Sequence, residues 1–121
     1  MCRRGDIYNV DFGKNTESRK QYGIRPALVV SNNQANQYSP VITVVPLTSR
    51  IYKKRFLPTH VLIPKSCGSG LERDSLALVE QVEALDKTCL LEKRGTIEDK
   101  MIMAKVTRAL QIQIGAVDRY N

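Results

Sequence analysis

Two nearly continuous β-branched runs, ALVVS (27–31) and VITVVPL (41–47), constrain the fold of this chain more than any other feature. Apolar runs with no polar alternate are expected of strands covered on both faces, in the middle of a sheet or in a barrel wall. Each run has a polar residue at one end. Arg25 opens the first just before Pro26, and Thr48 closes the second after Pro46 and Leu47. Taken singly, Arg25 reads equally as a solvated strand end and Thr48 as a strand terminator. Taken together at the mouth of two neighbouring strands, they suggest a phosphate ligand. A guanidinium offers five donors in a fixed fork that matches a phosphate, and a hydroxyl from the next strand can donate to the same group.

Around these runs the chain reads as short strands followed by one helix. From Asp6 to Phe12 the residues alternate, with Tyr8, Val10 and Phe12 on one face and Asn9 and Asp11 on the other, the pattern of a half-buried strand. GKNTESRKQYG (13–23) is polar and bounded by glycines, a long loop leading to Arg25. NNQANQYSP (32–40) carries turn residues, THVLIP (59–64) predicts another strand, and SCGSGL (66–71) a glycine-rich turn. DSLALVEQVEAL (74–85) satisfies a helix almost as well as a strand, and the short strands before it favour strand. Near the C-terminus, Thr96 with Asp99 three residues later resembles a capping arrangement. Ile102, Val106, Ala109, Leu110, Ile114 and Val117 then recur on one helical face. That stripe is expected to pack on the sheet or a partner subunit rather than a membrane, because the opposite face mixes both charge signs. The sum is a mainly β (α+β) single domain over residues 1–121, a small SH3-like barrel or twisted sheet with a C-terminal amphipathic helix.

Nineteen Lys and Arg against twelve Asp and Glu give a net charge of +7. That excess points to a polyanion such as nucleic acid or to an acidic protein, without choosing between them. The cations are grouped: Arg3 and Arg4; Lys14, Arg19 and Lys20; Lys53, Lys54 and Arg55; Lys87, Lys93 and Arg94. The second and third groups fall in polar loops, where they either flank the Arg25–Thr48 mouth as a groove or simply solubilise the surface. Cys2, Cys67 and Cys89 have no metal-ligand spacing, and His60 is the sole histidine. No metal or cofactor is therefore expected, and the cysteines read as reduced and structural. His60, in a strand-opening PTHV segment, reads as a hydrogen-bonded structural residue rather than a catalytic one. The chain has neither a signal-like start nor an apolar run of the roughly 18 residues a membrane span needs, so a cytoplasmic protein is expected.

RGDIYNVDF (4–12), GIRPALVVSN (23–32), VPLTSR (45–50), LPTHV (57–61), ERDSLALVEQV (72–82) and LDK (85–87) resemble, in order and spacing, the MazF/PemK family of toxin endoribonucleases over nearly the whole chain. The resemblance implies a homodimer of SH3-like barrels that cleaves single-stranded RNA at a short sequence without a metal. It also implies a cognate antitoxin whose acidic, disordered tail occupies the RNA groove. The family's essential arginine falls on Arg25 and its essential threonine on Thr48. The glutamine of its later strand falls on Gln81, where it would read a base, with Glu80 beside it. Further RNA contacts are expected of Ser18, Lys20 and Gln21 in the first loop, and of Ser49, Lys53 and Lys54 after the third strand. Two departures stand out. Many relatives have glycine–serine–glutamate–glutamine where this chain has Ser18, Arg19, Lys20 and Gln21, and an arginine where it has Glu83.

Cleavage through the RNA's own 2′-hydroxyl requires that oxygen to lose its proton and the phosphorus to be attacked in line. Negative charge must be stabilised on the phosphoryl oxygens, and the 5′-oxygen must be protonated. DNA lacks the hydroxyl and should resist. Arg25 fits the charge-stabilising role, whereas a guanidinium is too weak an acid to leave a neutral form that could act as a base. Thr48 can donate to a phosphoryl oxygen. Glu80 is chemically competent as the base, and that role stays open. The alternative is a non-catalytic nucleic-acid-binding or gyrase-targeting protein on the same barrel, which would not require Arg25 and Thr48 together. A plain interaction module should line its groove with aromatics, but the chain has two Phe, five Tyr and no Trp.

Overall fold

The computed structural model describes residues 1–14, 22–51 and 57–118. At its centre is β3 (Val41–Thr48), which the longer apolar run builds. One edge of β3 pairs with β2 (Ile24–Val29), matching Val44 to Val29 and Pro46 to Ala27. The other edge takes two partners in succession. Val41–Val44 pairs with β6 (Glu83–Asp86), and Leu47 and Thr48 pair with β5 (Ser75–Leu78). With β1 (Asp6–Asp11), β4 (His60–Ile63) and β7 (Leu90–Thr96), the strand order is β4-β5-β3-β2-β1-β7, with β6 set on β3. All these pairings are antiparallel. The sheet curls without closing, because β4 and β7 lie at opposite ends of the path and are not ladder partners.

The absence of a polar alternate in β2 and β3 has a direct cause: both faces are covered. Leu28, Val45 and Leu47 enter one core with Ile7, Ile63, Val79 and the C-terminal helix. Ala27, Val29, Ile42 and Val44 enter a second with Cys2 and Val10. Tyr8 and Phe12 pack beside Val10, as the alternation in β1 predicts, while Ile7 supplies that strand's contribution to the first core. Buried Asp6 locks β1 to β7. Its carboxylate accepts from the Arg3 N–H at 2.9 Å and the Thr96 hydroxyl at 2.8 Å, with Lys93 Nζ at 3.5 Å.

Several sequence expectations are corrected. The 32–40 segment is not merely a turn. It contains a short helix, α1 (Asn33–Tyr38), capped by Asn32 Oδ1 accepting from Ala35 N–H at 2.8 Å and anchored by buried Asn36, whose amide donates to Ser31 O at 2.8 Å. β2 starts at Ile24, so Arg25 lies within the strand, opposite Val10. Residues 74–85 are strand at both ends but are interrupted by a 3-10 turn at Val79–Gln81, which lets β5 and β6 address different halves of β3. Helix α2 (Lys100–Gln113) is capped by Asp99, which accepts from Met101 N–H at 2.8 Å and Ile102 N–H at 3.4 Å. Thr96 has no part in the cap, being the last residue of β7. Ile102, Val106 and Ala109 are buried and Leu110 packs against them, but Ile114 and Val117 lie past the helix end, Ile114 74% exposed. Arg4, one of the grouped cations, is a tie: its guanidinium donates to Val30 O and, at 2.6 Å, to Thr107 Oγ1 of α2. Among the described residues, no helix is long and apolar enough to cross a membrane.

The two unpaired ends of the sheet are joined by the loop after β4. Thr96 N–H donates to Gly68 O at 3.2 Å, and a Cβ on Gly95 would lie 2.6 Å from that same oxygen. A Cβ on Gly70, whose φ is +72°, would lie 1.8 Å from Arg94 O. Gly70→Ala therefore combines a left-handed backbone with a backbone clash, and should lower stability by about 2–4 kcal/mol. Gly115→Ala, with φ +77° and nothing within 4 Å, meets the conformational cost alone, about 1–2 kcal/mol. Urea titration of both variants distinguishes these, and equal losses would show that the loop contact does not bear on stability.

Candidate active-site cleft

The register of β2 on β3 explains why Arg25 and Thr48 meet. Ala27 pairs with Pro46, and continuing that antiparallel match two residues brings Arg25 level with Thr48. Because side chains alternate with a period of two, both project on one face at one end of the sheet. They open onto a cleft of about 350 Å³. Ser49 and Arg50 follow β3 along its wall, Leu71, Glu72 and Arg73 approach on the way into β5, and Arg94 reaches in from β7.

Arg25 is oriented without being neutralised. Its Nε donates to Tyr22 O at 2.9 Å, and the guanidinium carbon lies 6.0 Å from the centre of the Tyr22 ring. Nη1 and Nη2 make no hydrogen bond or ion pair with the described residues. Thr48 is 4% exposed. Its Oγ1 accepts from Arg50 N–H at 3.2 Å, which leaves the hydroxyl hydrogen able to donate into the cleft. Arg94 is braced on both sides, Nη1 donating to Asn9 Oδ1 at 3.3 Å and Nη2 to Gly70 O at 3.2 Å. Four guanidiniums against the one carboxylate of Glu72 make the cleft strongly electropositive.

Of the residues expected at the site, Arg25, Thr48 and Ser49 come together. Ser18, Lys20, Gln21, Lys53 and Lys54 lie outside the described residues. Glu80 and Gln81 are not in the cleft wall: they occupy the 3-10 turn beyond Leu78, whereas the cleft meets β5 at its other end, Ser75. Glu80 is also engaged. Oε1 accepts from Thr59 Oγ1 at 3.1 Å, and Oε2 lies 3.0 Å from His60 Nε2. Buried His60 accepts Leu57 N–H on Nδ1 at 3.2 Å, which assigns its proton to Nε2 and the bond to Glu80. His60 thus has the structural role expected of it. Arg50, Glu72, Arg73 and Arg94 were not singled out as site residues. The glycine turn just before Glu72 and Arg73 was the available signal for two of them.

Among the described residues, Cys2, Cys67 and Cys89 are free thiols, and no three His, Cys, Asp or Glu side chains gather as a metal site. Replacing Glu80 with Ala leaves the buried imidazole N–H without its carboxylate, a change expected to cost about 1–3 kcal/mol. The measurement is a urea midpoint; an unchanged midpoint would mean that water replaces the carboxylate at no cost.

Comparison with known proteins identifies the family. Residues 3–114 match the family described as PemK-like, MazF-like toxin of type II toxin-antitoxin system. Endoribonuclease MazF of Staphylococcus saprophyticus is 42% identical over 115 residues, covering 95% of this chain and 92% of its own. Endoribonuclease EndoA of Bacillus subtilis is 41% identical over 118 residues, 98% of each chain. A mycobacterial endoribonuclease solved in complex with its cognate antitoxin superposes with a TM-score of 0.77 at 28% identity, covering 97% of this chain and 98% of that one. MazF of Deinococcus radiodurans shares the fold, with a TM-score of 0.76 at 22% identity over 94% of this chain and 96% of its own. The family match over residues 3–114 and relatives 41–42% identical over nearly the whole chain place this chain in the PemK-like, MazF-like family of type II toxins.

Proposed function

We propose that this chain is a cytoplasmic toxin endoribonuclease. It cuts single-stranded RNA at a short sequence, without a metal, as a homodimer, and a cognate antitoxin neutralises it by laying an acidic, disordered tail along the same cleft. The observation that carries this reading is the pair of Arg25 Nη groups, unbonded among the described residues, held level with the Thr48 hydroxyl in an electropositive cleft. The near full-length relatives that bear the name endoribonuclease support the reaction, and the mycobacterial neighbour solved with its antitoxin supports the partner.

The chemistry follows from the charges. The substrate's 2′-oxygen loses its proton and bonds to phosphorus, the bond from phosphorus to the 5′-oxygen breaks, and that oxygen takes up a proton, leaving a 2′,3′-cyclic phosphate and a 5′-hydroxyl. Negative charge grows on the two non-bridging oxygens during attack. Arg25 bridges them through Nη1 and Nη2 while staying protonated throughout, and Thr48 donates to one of them. Arg50, Arg73 and Arg94 add a positive field at no reorganisation cost. Ser49 sits on the rim and contacts the RNA, and Ser18, Lys20, Gln21, Lys53 and Lys54 supply further RNA contacts. Glu80, held by Thr59 and His60, serves the fold.

Incubating a long mixed-sequence RNA with excess EDTA should give discrete cuts that Arg25→Ala slows by about 10²–10³. Sequencing the fragment ends gives the recognition sequence. Undiminished cutting by the variant would sink the assignment, and a folded wild-type protein that makes no cuts would favour a binding-only protein on this fold. A disordered acidic peptide should bind the wild-type protein and weaken between low and moderate salt. Salt-independent binding would argue against an electrostatic groove.

A further inference from the structure

The cleft at Arg25 does not end there. A second cavity of about 340 Å³ adjoins it, lined by Ser49, Ile51, Lys65, Glu72, Arg73 and Asp74. Ser49, Glu72 and Arg73 line both cavities. A strand passing from one to the other must run along these three side chains. Arg73 is the cation they share: its backbone carbonyl accepts the Ser75 hydroxyl at 3.2 Å, which holds its backbone at the start of β5. Its guanidinium makes no hydrogen bond or ion pair with the described residues, and Glu72 makes none either. Among the described residues, this exposed arginine and glutamate, adjacent in sequence, therefore keep their side-chain hydrogen-bonding groups for a ligand. Asp74, by contrast, already accepts Lys65 N–H at 2.9 Å.

Building on the ribonuclease reading, we propose that the second cavity is the subsite for the nucleotide beside the cleaved one. Arg73 binds the neighbouring phosphate, and Glu72 hydrogen-bonds a base that carries an exocyclic amino group. Two cations, Lys65 and Arg73, and two carboxylates, Glu72 and Asp74, line this cavity, and such mixed charge fits a nucleotide better than a uniform anion. The phosphate belongs at the guanidinium, where two parallel N–H bonds can form. An ionised carboxylate is an acceptor only, so it repels phosphate and selects a base edge that donates. Cytosine and adenine present an amino group there, whereas thymine and uracil present a carbonyl oxygen in the position of the cytosine amine. Ile51, half-buried beside Ser49, gives the base an apolar wall.

The test uses labelled octadeoxycytidylate and octathymidylate, which lack the 2′-hydroxyl and so report binding alone, followed by fluorescence anisotropy across a salt series. Arg73→Ala should weaken both oligomers and make the slope of log affinity against log salt shallower by about 0.7, the value for one lost contact to a single strand. Arg73→Lys should restore the slope. Glu72→Ala removes a negative charge and strengthens both, but should cut the preference for cytosine over thymine by about fivefold or more. An unchanged slope in Arg73→Ala, or an unchanged preference in Glu72→Ala, overturns the subsite. RNA cutting with oligomer binding indifferent to both substitutions would remove the subsite and leave the ribonuclease. Binding that depends on both residues, in a protein that cuts no RNA, would do the reverse.

Discussion

The cleft at Arg25 and Thr48 depends on one backbone-to-backbone approach, that of Ser69 and Gly70 to Arg94 and Gly95, too close for a Cβ at either glycine. The strand path leaves β4 and β7 as unjoined ends, and such edges expose unpaired amides and carbonyls. The loop after β4 covers the β7 edge with a backbone hydrogen bond at Thr96 and a side-chain bond from Arg94 to Gly70. Each bond alone adds only about 1 kcal/mol. The larger effect is geometric: once the loop lies on β7, the residues that follow it, Leu71 to Arg73, must enter β5 along the open end of β2 and β3. That is where Arg25 and Thr48 emerge, so the loop contact builds the opposite wall of their cleft.

How much of this was legible depends on how each residue advertises its environment. The runs at 27–31 and 41–47 declare themselves because strands buried on both faces lose their polar alternates. Arg25 and Thr48 stand out for the same reason, as polar residues abutting such runs. β7 gives no such sign: LLEKRGT is half exposed and its charges interrupt any apolar pattern. α1 is held by asparagine side chains rather than by an apolar stripe, so its composition reads as turn. Thr96 and Asp99 satisfy the spacing of a capping box, but spacing says nothing of buried Asp6, which binds the Thr96 hydroxyl and keeps it in the sheet.

The site divides the same way. Arg25 and Thr48 were expected from their positions at strand ends, and Ser49 alongside the family resemblance. Arg73 and Arg94 were hidden by a basic composition in which any single arginine is unremarkable, and they acquire meaning only when a turn and an unanticipated strand converge. Glu80, whose role as base the sequence leaves open, shows the converse. Its residue type suits a proton acceptor, yet its two oxygens face Thr59 and His60 at the far end of β5. Chemical competence is a property of the side chain, whereas placement comes from the 3-10 turn that breaks residues 74–85 in two.

The partners chosen for the cleft arginines say most about the chemistry. Arg25 is anchored by a neutral carbonyl and an aromatic ring, and Arg94 by an amide oxygen and a carbonyl. Neutral acceptors take up one or two N–H groups and fix the plane of the guanidinium while leaving its charge whole. A carboxylate in either place would orient the group as well, but it would cancel the field and compete with any incoming phosphate. Crowding four guanidiniums with so little compensation stores repulsion that an anion relieves on binding, and the relief is greatest when the anion's charge is greatest, in the transition state of phosphoryl attack. The same arrangement cannot distinguish a phosphate from a carboxylate by charge alone. The cleft proposed to take RNA is therefore also open to an acidic polypeptide, and the proposed inhibition by an antitoxin tail needs no second site.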